Sequence, residues 1–311
     1  MQFLGEFISI GVAFSWTVTA ILCEYAGKRL GSITFNFYRM IFTIAFSFVL
    51  FWVVLGNPLP ASASDRAYVW MLLSGVVGFV ICDYNLMKCY TIIGSRFGQL
   101  FMTISPLSAA VAAWMLLGQS LKPMAIVAML VTLAGISLSI IGRGDKHMFS
   151  LKLPAKGVFH ASVAAICQGI GLVISKVGLD YYQESIPRDI LDHAPWILPF
   201  CANFYRCIAG FIGFGILVAL NRNASALKAG VTRPRVVASV VSATIFGPFV
   251  GVAFSLMAVQ YTAAGIASTL MALSPIMILV PAHFWMNQRV TWKGGLGALI
   301  SVLGVALFFM G

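Results

Sequence analysis

Asn36-Phe37-Tyr38-Arg39 recurs as Asn203-Phe204-Tyr205-Arg206. Both tetrapeptides lie in long apolar runs, the first in residues 33–55 and the second in 197–220. Working outward from them, further pairs fall in the same order. Tyr90-Thr91-Ile92-Ile93-Gly94 resembles Tyr261-Thr262-Ala263-Ala264-Gly265, and Ser105-Pro106 matches Ser274-Pro275. Leu117-Gly118-Gln119 lines up with Met286-Asn287-Gln288, and Gly135 with Gly304. One shared tetrapeptide can be accident. Five matches in one order indicate two copies of one unit.

The 311 residues are 60% hydrophobic and 9% charged, against about 25% charged in a soluble domain. So few polar residues cannot cover a water-facing surface, whereas apolar stretches of roughly 17–25 residues recur along the chain. They predict ten spans, at about 5–26, 33–55, 67–89, 96–117, 122–141, 157–178, 197–220, 235–258, 262–286 and 292–310. Backbone groups in lipid must pair within a helix or a closed barrel, and the continuous apolar runs lack the alternation of barrel strands. The fold class expected is therefore an all-α membrane protein. The first unit is 1–142, the connecting loop 143–156 and the second unit 157–311. A unit of five spans is odd, so the second copy enters the membrane from the opposite side, giving the inverted repeat associated with alternating access. The first span, MQFLGEFISIG onward, lacks a basic leader and is expected to stay in the mature protein. The segment Asp180 to Trp196 holds four acids and is expected to form a short surface helix.

These features resemble the drug/metabolite transporter superfamily, in particular its EamA-type ten-helix members. The residues that carry the resemblance are Arg39 and Arg206, the Tyr-Thr-x-x-Gly before each fourth helix, the Ser-Pro inside it, and the Gly-rich fifth helix. The fourth helix of that family usually ends in Gly-Glu, where this chain has Gln119 and Gln288. The resemblance implies a secondary transporter of small, amino-acid-like metabolites, an exporter, in the cell (inner) membrane. Uptake or drug efflux is the alternative within transport, and a membrane-embedded enzyme the alternative outside it. No phosphate loop, Ser/His/Asp signature or zinc motif is present, so no cofactor is expected.

Polar groups inside a bilayer are costly and mark functional candidates. Asp83, in Val80-Ile81-Cys82-Asp83-Tyr84-Asn85, is the sharpest. It is placed to bind a substrate ammonium or cycle a proton, or else to pair with Lys88 or another buried base. Arg39 and Arg206 are expected near opposite membrane faces, as anion contacts or in a structural, lipid-interface role. Glu24 and Lys176 occupy corresponding span ends, as a gate ion pair or as snorkelling side chains. Pro106 and Pro275 are candidate hinges, since proline removes a helix hydrogen bond. The resemblance places Trp16, Asp83, Tyr84, Gln168 and Gln260 near a central cavity. His160 and His283 stand alone, which argues against a metal site. The six cysteines show no metal-type pairing and read as small buried hydrophobes. Spans 5 and 10 carry small residues that favour close packing, within the chain or across a homodimer, so the expected state is monomer or homodimer.

The net charge of +11 does not point to nucleic acid, because the basic residues are spread over short loops; their expected partner is the lipid bilayer. Of the 20 Lys and Arg, 14 fall in odd-numbered connections, three in even-numbered ones (Arg66, Lys122, Arg188) and three in spans (Arg39, Lys176, Arg206). The positive-inside rule then puts the odd loops in the cytoplasm and both termini outside, whereas the resemblance implies the reverse. The bias is large and the loops short, so the charge count is given the greater weight. A green fluorescent protein fused after Gly311 is accordingly expected to be dark in intact cells and an alkaline phosphatase fusion active; a bright fusion would reverse the assignment.

Overall fold

The computed structural model describes residues 3–142, 154–221, 234–277 and 292–309, and among them every regular element is helical. The first repeat runs through α1 (Leu4–Leu30), α2 (Ser32–Leu55), α3 (Asp65–Gly75), a π-helical stretch (Val76–Asp83), α4 (Tyr84–Met102), α5 (Ser105–Leu117) and α6 (Pro123–Gly142). The second runs through α7 (Ala155–Ser185), the short α8 (Arg188–His193), α9 (Leu198–Leu220), α10 (Pro234–Thr244), a second π-helical stretch (Ile245–Phe249), α11 (Val250–Tyr261), α12 (Ala264–Met271), α13 (Ser274–Met277) and α14 (Trp292–Phe308).

Among the described residues seven helices are long and apolar enough to cross a membrane, and Pro123–Ser139 and Trp292–Phe308 are shorter apolar helices. Against ten expected spans, the ninth is described only as far as Met277; Gln288 and His283 lie outside the described residues. The third and fourth expected spans share α4. Gly98 shows that the chain doubles back there: a methyl on it would lie 3.0 Å from Cys89 Sγ, while nine residues of straight helix would separate them by about 13.5 Å. The sixth span is longer than expected, and Asp180 belongs to α7, not to the loop after it. α8 supplies the short surface helix, with no buried residue.

The π-helical stretches were not anticipated. In the second, Pro248 has no N–H to give and its ring displaces the carbonyl a turn earlier, so the wider turn relieves the clash. In the first, Gly75 lets the backbone of α9 approach: a methyl there would lie 2.8 Å from Arg206 Cα. The two matched asparagines tie these stretches down. Asn36 Nδ2 donates to the Asp83 carbonyl at 3.4 Å and Asn203 Nδ2 to the Pro248 carbonyl at 2.6 Å. The aromatic residues of the same tetrapeptides pack outward from them. Phe37 stacks on Phe211, Phe204 meets Phe48 and Phe51, and Tyr205 lies 4.5 Å from the Tyr68 ring.

Pro106 occupies the first turn of α5, where its missing N–H would have been an orphan in any case. The helix is therefore interrupted at Thr103–Ile104 rather than bent through its interior. α13 starts on Ser274 in the same way; the side chain of Pro275 is outside the described set. Gln119 has a local task that needs no charge. Its Oε1 accepts from the Ala264 N–H at 3.2 Å, at the start of α12, where Ala263 offers no side-chain cap.

The small residues of α6 and α14 face each other inside the chain, the first of the two arrangements expected for them. A methyl on Gly135 would lie 2.8 Å from the Gly297 carbonyl oxygen and 2.9 Å from Ser301 Cα. What the pair turns outward is large and apolar, including Val127, Leu130, Leu299 and Val302, a face suited to lipid. Gly135→Ala is expected to lower stability by about 1–3 kcal/mol through overpacking. Gly295→Ala, with nothing within 4 Å of the added methyl, is expected to be neutral or mildly stabilising. Thermal unfolding of the purified protein in detergent separates the two.

Candidate functional site

A cavity lies between the repeats, with about 140 Å³ in which the centre of a water-sized molecule can move. α1, α2, the first π-helical stretch, α4 and α5 line it from one repeat, and α7, α9, the second π-helical stretch, α11, α12 and α13 from the other.

Both matched arginines reach it. Arg39 is 6% exposed and Arg206 5%, so both are buried within the protein. The glycines of the π-helical stretches make the room. A methyl on Gly247 would lie 2.9 Å from Arg39 Nη2, and one on Gly78 would lie 2.8 Å from Arg206 Nη2. Each arginine is thus seated against the other repeat. Asp83 also lines the cavity, and its Oδ2 accepts from Arg39 Nη1 at 3.1 Å. Lys88 is not its partner; the Lys88 ammonium lies over the Tyr84 ring. Arg39 Nη1 also donates to Asn36 Oδ1 at 2.8 Å. Arg206 is paired differently: its guanidinium lies 5.1 Å from the centre of the Phe79 ring.

Trp16 and Gln168 line the cavity, as expected. Trp16 packs over Gly251, where a methyl would lie 3.1 Å from its indole nitrogen. Gln168 Oε1 accepts from Cys82 Sγ at 3.3 Å. Tyr84 and Gln260 are not among the lining residues. Tyr84 turns its ring to His160, whose Nδ1 is 2.6 Å from Asn85 Oδ1. Gln260 donates to Gln183 Oε1 at 3.3 Å, at an exposed position. The resemblance places both at the cavity; both follow a π-helical stretch, and one extra residue in a helical turn rotates what comes after by about 100°. Lys176 pairs with Asp180 on its own helix; the side chain of Glu24 is outside the described set.

The cavity also holds residues that sequence reasoning passed over. Gln99 Nε2 donates to Tyr90 Oη at 2.6 Å, and both line it. Ser105 and Ser274, from the matched Ser-Pro pairs, line it as well. Thr17 Oγ1 donates to the Ser274 carbonyl at 2.9 Å. The signal was present, since the Ser-Pro pairs recur, but the prolines drew the attention. Trp16, Leu172 and Met271 form an apolar wall. Among the described residues no group of three His, Cys, Asp or Glu is placed to hold a metal ion.

Arginines from two repeats meeting at one largely apolar cavity is an arrangement for receiving a solute. The profile of the EamA-like transporter family matches residues 3–141 and 193–310. The chain belongs to the EamA-like transporter family. As an EamA-family protein it is a multi-pass membrane transporter of small molecules, built on two repeats. A crystal structure described only as that of a protein aligns over 98% of this chain and 96% of its own, with a TM-score of 0.68 and 16% identity; it shares the fold. No curated relative matches.

The EamA-family cavity makes unequal demands on its two arginines. Arg39→Met would leave the buried Asp83 carboxylate unpaired, a loss of about 3–5 kcal/mol. Arg206→Met removes a buried charge that makes no ion pair among the described residues and is expected to be neutral or stabilising. Thermal unfolding of both variants decides the matter; equal losses would contradict the asymmetry.

Proposed function

We propose that this EamA-family chain is a secondary active transporter that moves a small organic, amino-acid-like metabolite by alternating access, as an exporter in the cell (inner) membrane. In this reading the chain has ten spans in two inverted units divided at 143–156. The observation that carries it is the matched lining of one central cavity: Arg39 with Arg206, Gly78 with Gly247, and Ser105 with Ser274. A site built from equivalent residues of two inverted units can face either side when one unit rocks against the other. The helix interruptions before Pro106 and Pro275 supply breaks at equivalent places. The export direction rests on the family resemblance.

Asp83 is the proposed proton site. Protonating it removes the ion pair with Arg39 and so changes how α2 is held to the first π-helical stretch. Coupling proton binding to that contact gives the gradient a means of biasing the cavity between its two orientations.

The test is counterflow in proteoliposomes with the purified chain, using the solute identified by comparing extracellular metabolites of a deletion strain and an overproducer. Saturable exchange is expected, and it should depend on pH in the wild type but not in Asp83→Asn. Flux that rises linearly with concentration would replace the carrier with a channel. An unchanged pH profile in Asp83→Asn would remove Asp83 from the coupling.

A further inference from the structure

The charges around the cavity do not balance. Asp83 is the carboxylate among its described lining residues, and Arg39 engages it at 3.1 Å. Arg206 is 5% exposed, and its Nε is buried with no partner. Among the described residues nothing accepts a hydrogen bond from its guanidinium, whose contact is the face of Phe79. A guanidinium taken out of water with its donors unused is costly. Apolar packing would have been easier to build at this position. Gly78 leaves the room that Nη2 occupies, and the Arg206 side chain lines the cavity. The missing partner is therefore an acceptor that arrives through the cavity.

Resting on the carrier reading but departing from its amino-acid-like solute on the amino group, we infer that Arg206 is the carboxylate subsite of the cavity and that the preferred solute is an organic monoanion. The carboxylate takes the guanidinium in a fork, and the apolar body of the solute lies toward Trp16, Leu172 and Met271. Two guanidinium groups and one carboxylate leave one positive charge, which a single carboxylate neutralises. An ammonium group on the same solute is a disadvantage, because Asp83 is already engaged and the remaining charge is positive. For one apolar body the order is monocarboxylate, then zwitterion, then amine.

An arginine-directed reagent tests this without relying on transport. Purified full-length protein is treated with phenylglyoxal, and adducts on Arg39 and Arg206 are followed by mass spectrometry. The competing solutes are 3-phenylpropionate, phenylalanine, phenethylamine and inorganic phosphate. Arg206 is expected to react at least tenfold faster than Arg39, and 3-phenylpropionate to slow it at least tenfold. Phenylalanine should protect less, and phenethylamine not at all. Equal protection by the amine, protection by none of the solutes, or reaction of Arg39 at the same rate would overturn the subsite. Phosphate protecting as well as 3-phenylpropionate would overturn the organic carboxylate. Arg206→Lys keeps the charge and loses the fork, so the half-saturation concentration for 3-phenylpropionate counterflow should rise about tenfold; an unchanged value counts against the proposal. The two readings fail separately. Protection without counterflow removes the carrier and leaves the subsite, while counterflow of the amine without protection by the carboxylate removes the subsite and leaves the carrier.

Discussion

Each of two buried guanidinium groups lodges against a glycine of the opposite repeat, Arg39 at Gly247 and Arg206 at Gly78. An arginine head group cannot enter an apolar helix bundle unless backbone gives way to it, and any side chain at those glycines would occupy the space. The π-helical stretches that carry the glycines are held by asparagines one helical turn before the arginines. A four-residue motif therefore fixes two things. Its asparagine ties the second span of a repeat to the third, and its arginine ties that repeat to the other. The cavity is the space left where these contacts cross.

The symmetry of the backbone is not carried through to the charges. Asp83 has no acidic counterpart in the second π-helical stretch, which reads Ile245-Phe246-Gly247-Pro248-Phe249. One arginine is consequently held by the protein, and the other faces the cavity with its donors unused. The same scaffold in two copies thus yields one arginine in an ion pair and one with none among the described residues. The difference arises from a single carboxylate.

Away from the cavity the packing follows a simpler rule. In lipid an apolar side chain gains little by meeting another apolar side chain, so close backbone approach and hydrogen bonds hold helices together. α6 and α14 meet through Gly135, Gly297, Ser301 and Gly304. α7 approaches α5 at Gly169, where a methyl would lie 2.6 Å from the Ala109 nitrogen. That approach puts Gln168 on the cavity wall.

The sequence by itself determined that the chain is helical, lies in a membrane and consists of two related units. Composition and a repeated order of short motifs carry that information, and neither depends on how the helices meet. It also singled out Asp83, Trp16 and Gln168, because a polar or large aromatic group stands out in an apolar run. Only the tertiary structure decided which base neutralises Asp83, that Arg39 and Arg206 share one cavity, and that Tyr84 and Gln260 are not among its lining residues. The physical reason is the π-helical stretch in each repeat. An extra residue in a helical turn rotates every following side chain, and no hydrophobic pattern in spans apolar on all sides records that rotation. Where the chains of two repeats cross, the partner of a buried charge is set by backbone approach at a glycine far away in sequence.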